Sequence, residues 1–390
     1  MMQPKLHRAA RLSALVLCAA ALGGCSYMPQ LSWPSWLGGS GDKAKPAELP
    51  PNPATFGVRQ AWMARVGTVD FPLSVATSGT NVVVASSDGT VAMLDGATGR
   101  EAWRAAVGQG LSAGVGTDGT LVSVVTDDNQ LTTLSNGKVL WRERLPAQAY
   151  TAPLVAGARV FVLAADRSVS AYDGQSGRRL WTQSRQGEPL VLRQGGVLLP
   201  FGDTLLAGLG GRLVAMNPGG GAARWEVPIA TPRGTNDVER LVDLVGPVSR
   251  VGSSICARAF QAAVGCADAA RGTFVWSKPA NGGTGVSGDE SILVGTESDG
   301  RVIAWKRENG ERQWNNELFL HRRPSAPLVV GKSVAFGDFE GWLHVLSRED
   351  GKVANRIATD GSQIVAAPVM VGQTMVVVTR NGSVFGFVPQ

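Results

Sequence analysis

Tryptophan recurs along this chain at a near-constant interval, and that interval restricts the fold before any single residue is weighed. Trp62, Trp103, Trp141, Trp181, Trp225, Trp276 and Trp314 are separated by 41, 38, 40, 44, 51 and 38 residues. Each closes the same small unit. In Ala171–Trp181 an alternating stretch ends at Tyr172, a polar turn follows with Asp173, Ser176 and Gly177, and a second stretch carries Trp181. The unit repeats at Met93–Trp103, with Asp95, Thr98 and Gly99 in the turn, and at Ala304–Trp314, with Asn309 and Gly310. A period near 40 residues with about four strands per unit is the signature of propeller blades.

One unit reads in full as an inner strand over 152–156, a second over 159–164, a third over 168–172 and an outer strand over 179–183. Apolar residues run without interruption through the second strand, as expected where neighbouring sheets cover both faces. Asp88-Gly89, Asp299-Gly300 and Asn381-Gly382 precede third strands and supply the positive φ angles that tight hairpins need. Third strands are predicted to begin near Thr90, Gln130, Ser168, Arg212, Ala263, Arg301, Trp342 and Ser383, which makes eight. The last lacks an outer strand of its own, while the stretch 56–66, carrying Trp62, is an outer strand with no blade before it. Joining the two closes the ring and hides both edges. The expectation is an all-β, eight-bladed β-propeller over 55–390, four antiparallel strands per blade, closed by the N-terminal strand. Seven blades with a stray hairpin is the alternative. Asn355 lies 41 residues after Trp314 and replaces the tryptophan there, so its blade is expected to be the loosest.

Composition agrees with many short strands and tight turns: 50 glycines and only 17% charged residues. The net charge of +6 overstates the basicity. Lys5, Arg8 and Arg11 precede an apolar stretch over 12–22 that is too short to span a bilayer, the pattern of a signal peptide over 1–24. Without them 34 basic residues face 31 acidic ones. No basic cluster with interleaved aromatics is present, which argues against a nucleic-acid partner. Leu22-Gly23-Gly24-Cys25 resembles the bacterial lipobox. That resemblance implies acylation of Cys25 and, with Ser26 rather than Asp following, an outer-membrane lipid anchor facing the periplasm. Residues 25–54 are rich in Pro, Gly, Ser and Lys and read as a flexible tether.

Cys256 and Cys266 fall in one predicted hairpin with its turn near Gln261, five residues from each. If the turn is centred there the two are directly opposite, which favours a cross-strand disulfide in an oxidising periplasm. Two small buried thiols is the other reading.

The repeated tryptophans suit a structural role, wedged between blades with the indole N–H on a neighbouring carbonyl. The pattern Ala-x-Asp-x-x-Ser-Gly-x-x-x-Trp at 171–181 resembles the docking motif of the quinoprotein-like propellers. That resemblance covers the chain from residue 55 and speaks for the fold. It also offers an enzyme as an alternative: a periplasmic dehydrogenase carrying pyrroloquinoline quinone and calcium, or a ligand-binding propeller. Against this, the chain has no adjacent cysteines, no carboxylate set spaced as a calcium loop, and only His321 and His344 after the signal. No cofactor, metal or catalytic residue is expected.

A closer resemblance is to the BamB family, scaffold lipoproteins of the outer-membrane β-barrel assembly (BAM) machinery. It rests on the lipobox, the Pro-rich tether and an eight-bladed ring of this size. Pro189-Leu-Val-Leu-Arg193 resembles the family's Pro-x-Leu-x-Leu-Arg loop, and Glu239-Arg-Leu-Val-Asp243 its acidic-Arg-Leu-x-Asp loop. In that family these loops bind the periplasmic POTRA domains of BamA. The resemblance therefore implies partner-binding roles for Leu190, Leu192, Arg193, Arg240 and Asp243. Val245 stands where the family has a second acidic residue, a departure in the charge pattern. Both loops also stretch the period, to 44 and 51 residues, and extra residues in a repeat array mark loops on one face. Leu190 and Leu192 beside Arg193 suit an interface anchor, or else cover a blade edge. Exposed outer strands offer a second surface, where unfolded barrel strands would add by β-augmentation.

Overall fold

The computed structural model describes residues 44–185 and 190–390, and its compact ring unit runs Pro46–Gln390. The signal segment, Cys25, the tether up to residue 43 and Pro189 lie outside the described residues. The described residues form eight four-stranded antiparallel sheets, the blades of one propeller. Blade 1 starts with the inner strand Ala76–Ser78 and blade 7 ends with the outer strand Val353–Ala358. Blade 8 takes three strands from the C-terminal part and its outer strand, Val58–Arg65, from the N-terminal part. That strand pairs antiparallel with Ser383–Pro389, from Val58 opposite Pro389 to Arg65 opposite Ser383.

The middle strands make the core. Val82, Val83, Val84 and Ala85 are all buried, because alternate side chains meet the blades on either side. Outer strands share one irregularity. In every blade the residue just before the tryptophan position, such as Leu180 before Trp181, is an extra one against the third strand. Such a bulge bends the strand and re-aims the following side chain. Here it turns the tryptophan onto the next blade.

Each of the seven tryptophans then covers the glycine of the next blade's turn between third and fourth strands. A Cβ on Gly99, at φ 69°, would lie 2.4 Å from Trp62 Cε3. The same relation holds from Trp103 with Gly137 to Trp314 with Gly351. The glycine is thus required twice, by its backbone angle and by the ring lying on it. Indole N–H groups donate to carbonyls in the same turns: Trp62 to Gly96 at 3.0 Å, Trp141 to Gly174 at 2.8 Å, Trp276 to Arg307 at 2.7 Å.

Two expectations are corrected at blade 7. Residues 46–54 were assigned to the tether, yet Pro46–Thr55 runs beside that blade. The Ala47 N–H donates to Leu320 O at 2.9 Å, Arg322 donates to Ala47 O at 3.1 Å, and the Thr55 N–H donates to Ala354 O at 2.8 Å. Asn355, the expected loose point, is buried and held from both sides. Its Nδ2 donates to Phe56 O at 2.6 Å, and its Oδ1 accepts from Asn52 Nδ2 at 3.0 Å. The physical reason is topological. Blade 8 has no turn between its third and fourth strands, so no glycine awaits an indole there, and the entering chain fills the place.

Candidate partner-docking rim

In a four-stranded blade the turn between the second and third strands and the link to the next blade lie at the same end. The links at 184–197 and 229–243, joining blades 3 to 4 and 4 to 5, therefore share a rim with the turn around Arg167 in blade 3. Asp243 binds these pieces together. Its Oδ1 accepts from Arg167 Nη1 at 3.0 Å and its Oδ2 from the Leu192 N–H at 3.2 Å, while its carbonyl accepts the Phe260 N–H at 2.9 Å. Arg167 Nη2 donates in turn to Leu190 O at 3.0 Å. The two links thus form one patch with blade 3.

The expected site residues occupy different depths in it. Leu190 is 41% exposed. Leu192 is half-buried over a small cavity of about 50 Å³ that Tyr150, Leu163 and Leu209 also line. Arg193 is exposed, and its Cζ lies 5.8 Å from the centre of the Tyr150 ring, within cation–π range. Arg240 is half-buried in the turn that follows Asn236, whose carbonyl accepts the Arg240 N–H at 3.2 Å. The Glu239 carboxylate accepts the Thr235 N–H at 2.9 Å, which holds its pKa below the usual value. Val245 is an interior strand residue, 1% exposed and directly across from Arg258. Arg258 is itself fully buried and paired with Glu297 at 2.9 Å.

Three residues of the patch and its links were not singled out from the sequence: Arg167, Tyr150 and Val238. Val238 is 71% exposed within the second link. An apolar residue in a stretched link was the one available signal for it. Arg167 stands at a turn position that is glycine in most blades, and its role appears only when residues 76 positions apart meet.

Bordering the rim patch at Thr151, Gln194 and Gly196, an axial cavity of about 470 Å³ is lined by residues such as Leu73, Pro247, Thr284 and Ile364, with no ionisable side chain among its described lining. Among the described residues no three His, Cys, Asp or Glu side chains gather as a metal site would need. Cys256 and Cys266 are directly opposed strand partners, their sulfurs 1.97 Å apart. In blade 7, Asp338 accepts from Arg322 Nε at 2.8 Å and lies 3.0 Å from His344 Nε2, inside the sheet stack.

Comparison with known proteins agrees with the ring. The family described as outer membrane protein assembly factor BamB matches residues 87–316. The protein of that name from Burkholderia pseudomallei is 36% identical over 392 residues, covering 97% of this chain and 99% of that one. Its counterpart from Bordetella pertussis is 33% identical over 380 residues, covering 96% of each. The crystal structure of BamB from Moraxella catarrhalis superposes with a TM-score of 0.77 at 22% identity, covering 85% of this chain and 99% of that one, a likeness of fold. The chain belongs to the BamB family of outer membrane protein assembly factors.

Proposed function

We propose that this propeller is a non-catalytic scaffold of the BAM machinery, anchored in the outer membrane by lipid on Cys25 and facing the periplasm. Its rim patch docks the POTRA domains of BamA. The observation that carries this reading is the joining of two stretched links into one patch through Asp243, with Leu190 exposed upon it. Leu190 supplies apolar burial, and Arg193, stacked on Tyr150, supplies a directed charge. An exposed apolar anchor next to arginine is the usual composition of an interface hot spot.

A second surface serves unfolded barrel segments. The outer strand Thr273–Pro279 of blade 5 exposes Phe274 and Val275, and an extended chain would add along it through backbone hydrogen bonds.

Co-purification from detergent-solubilised membranes tests the docking reading. A Leu190→Ala/Arg193→Ala double variant is expected to lose BamA while its melting temperature stays within about 2 °C of wild type, since both side chains lie at the surface. Retention of BamA by the double variant would move the site elsewhere.

A further inference from the structure

The turn between second and third strands holds one residue at positive φ in each blade. These are Gly89, Asn129, Arg167, Gly210, Gln261, Gly300, Gly341 and Gly382. Five of the eight are glycine, the residue that adopts this backbone without strain. Blade 3 instead places arginine there, at φ 62°. A strained backbone retained where glycine would serve points to a task for the side chain.

That side chain reaches across to the next blades. A Cβ at Gly210, the equivalent turn of blade 4, would lie 3.2 Å from Arg167 Nη1, so the guanidinium runs alongside that turn. It then divides its donors between Asp243 Oδ1 on the second link and Leu190 O on the first, both at 3.0 Å. The other Asp243 oxygen accepts the Leu192 N–H. Both carboxylate oxygens are therefore engaged within the chain, and the two side chains are only 11% and 17% exposed.

We infer that Arg167 is a positioning residue of the docking patch, and that Asp243 serves docking by holding the first link in place rather than by meeting a charge on the partner. The inference rests on the docking function proposed above. A planar fork is suited to this task, because it bonds two acceptors in fixed directions. With the fork removed, the Leu190 carbonyl loses its bond to blade 3 and Asp243 loses its bond to Arg167, keeping that to the amide of Leu192. Leu190 and Arg193 then lose their fixed presentation.

Two measurements on the full-length, detergent-extracted protein test this. The first is hydrogen exchange of the free protein over residues 190–195. Arg167→Gly relieves the strained backbone, yet exchange there is expected to speed up at least tenfold. The second is the affinity for the isolated POTRA domains of BamA. Arg167→Gly and Asp243→Ala are each expected to weaken it about tenfold or more, and the double variant no further than the worse single, as for groups that act through one another. Arg167→Lys keeps the charge beside Asp243 without the fork and is expected to recover only part of the affinity. Unchanged exchange in Arg167→Gly, losses that multiply in the double variant, or a lysine no better than glycine would each overturn the assignment. If Leu190→Ala/Arg193→Ala docks like wild type, the docking reading has failed, and exchange alone then decides whether Arg167 positions the link.

Discussion

The side-chain amide of Asn355 donates to the carbonyl of Phe56 at 2.6 Å and accepts from Asn52 at 3.0 Å, so one residue ties blade 7 to the chain entering blade 8. Asn355→Ala is expected to leave the Phe56 carbonyl without this partner and to lower stability by about 1–3 kcal/mol. Urea denaturation measures the loss. Limited proteolysis should then cut first within residues 46–56, which lean on this contact.

The tryptophan–glycine contact can be tested in one turn. Gly177 has φ 74°, and a Cβ there would lie 2.7 Å from Trp141 Cδ2. Gly177→Ala combines backbone strain with overpacking and is expected to cost about 2–4 kcal/mol. Gly220, in the equivalent turn of the next blade, has nothing within 4 Å of such a Cβ. Gly220→Ala is expected to be neutral within about 0.5 kcal/mol. Equal urea midpoints for the two variants would contradict the account of the turn glycines.

Cys256 and Cys266, both fully buried, face one another across a hairpin. We predict that they are bridged in the native protein. A soluble form beginning after Cys25, denatured without reductant, should show no reactive thiol, and two after reduction. Two thiols before reduction would count against the bridge.

His344 sets a pH dependence. Burial lowers its pKa, and the charges of Arg322 and Arg356 lower it further, against the raising effect of Asp338. The folded histidine therefore binds its proton less readily than the unfolded one, whose pKa is near 6.5. Its contribution to stability is complete above that value and falls as pH drops below it, by up to about 1.4 kcal/mol per pH unit. Asp338 is held below 3.8: burial raises its pKa, but the bond with His344 and the nearby charges outweigh that effect. Its own contribution is lost only in stronger acid. Thermal melts at pH 7 and pH 5 should show a larger drop for wild type than for His344→Gln. Equal drops would remove His344 as the cause.

What could be read from the sequence was whatever repeats. Seven tryptophans and eight third strands are local marks, each decided within about a dozen residues, and they led to the ring and its closure. Asn355 shows the limit of that reading. The missing tryptophan was visible, but its reason was not, because the strand that completes blade 8 lies some 300 residues away in the chain. The two long links were visible because they stretch the period and resemble a known pattern. The clamp from Arg167 was not, since it joins three segments that share no spacing. The lead-in contacts of Ala47 with Leu320 and Arg322 were hidden for the same reason, inside a stretch whose Pro content reads as tether.

The pairing of Val58–Arg65 with Ser383–Pro389 has a consequence for biogenesis. Seven blades assemble from neighbouring segments, but the eighth needs the first strand of the ring to find the last. Contacts so distant in sequence are slow to form. A chain whose export or synthesis stops short of Phe385 is therefore an open arc with two raw edges, prone to aggregation and proteolysis. The clasp makes closure depend on the two ends of the ring: the eighth sheet is complete only when Val58–Arg65 has met Ser383–Pro389.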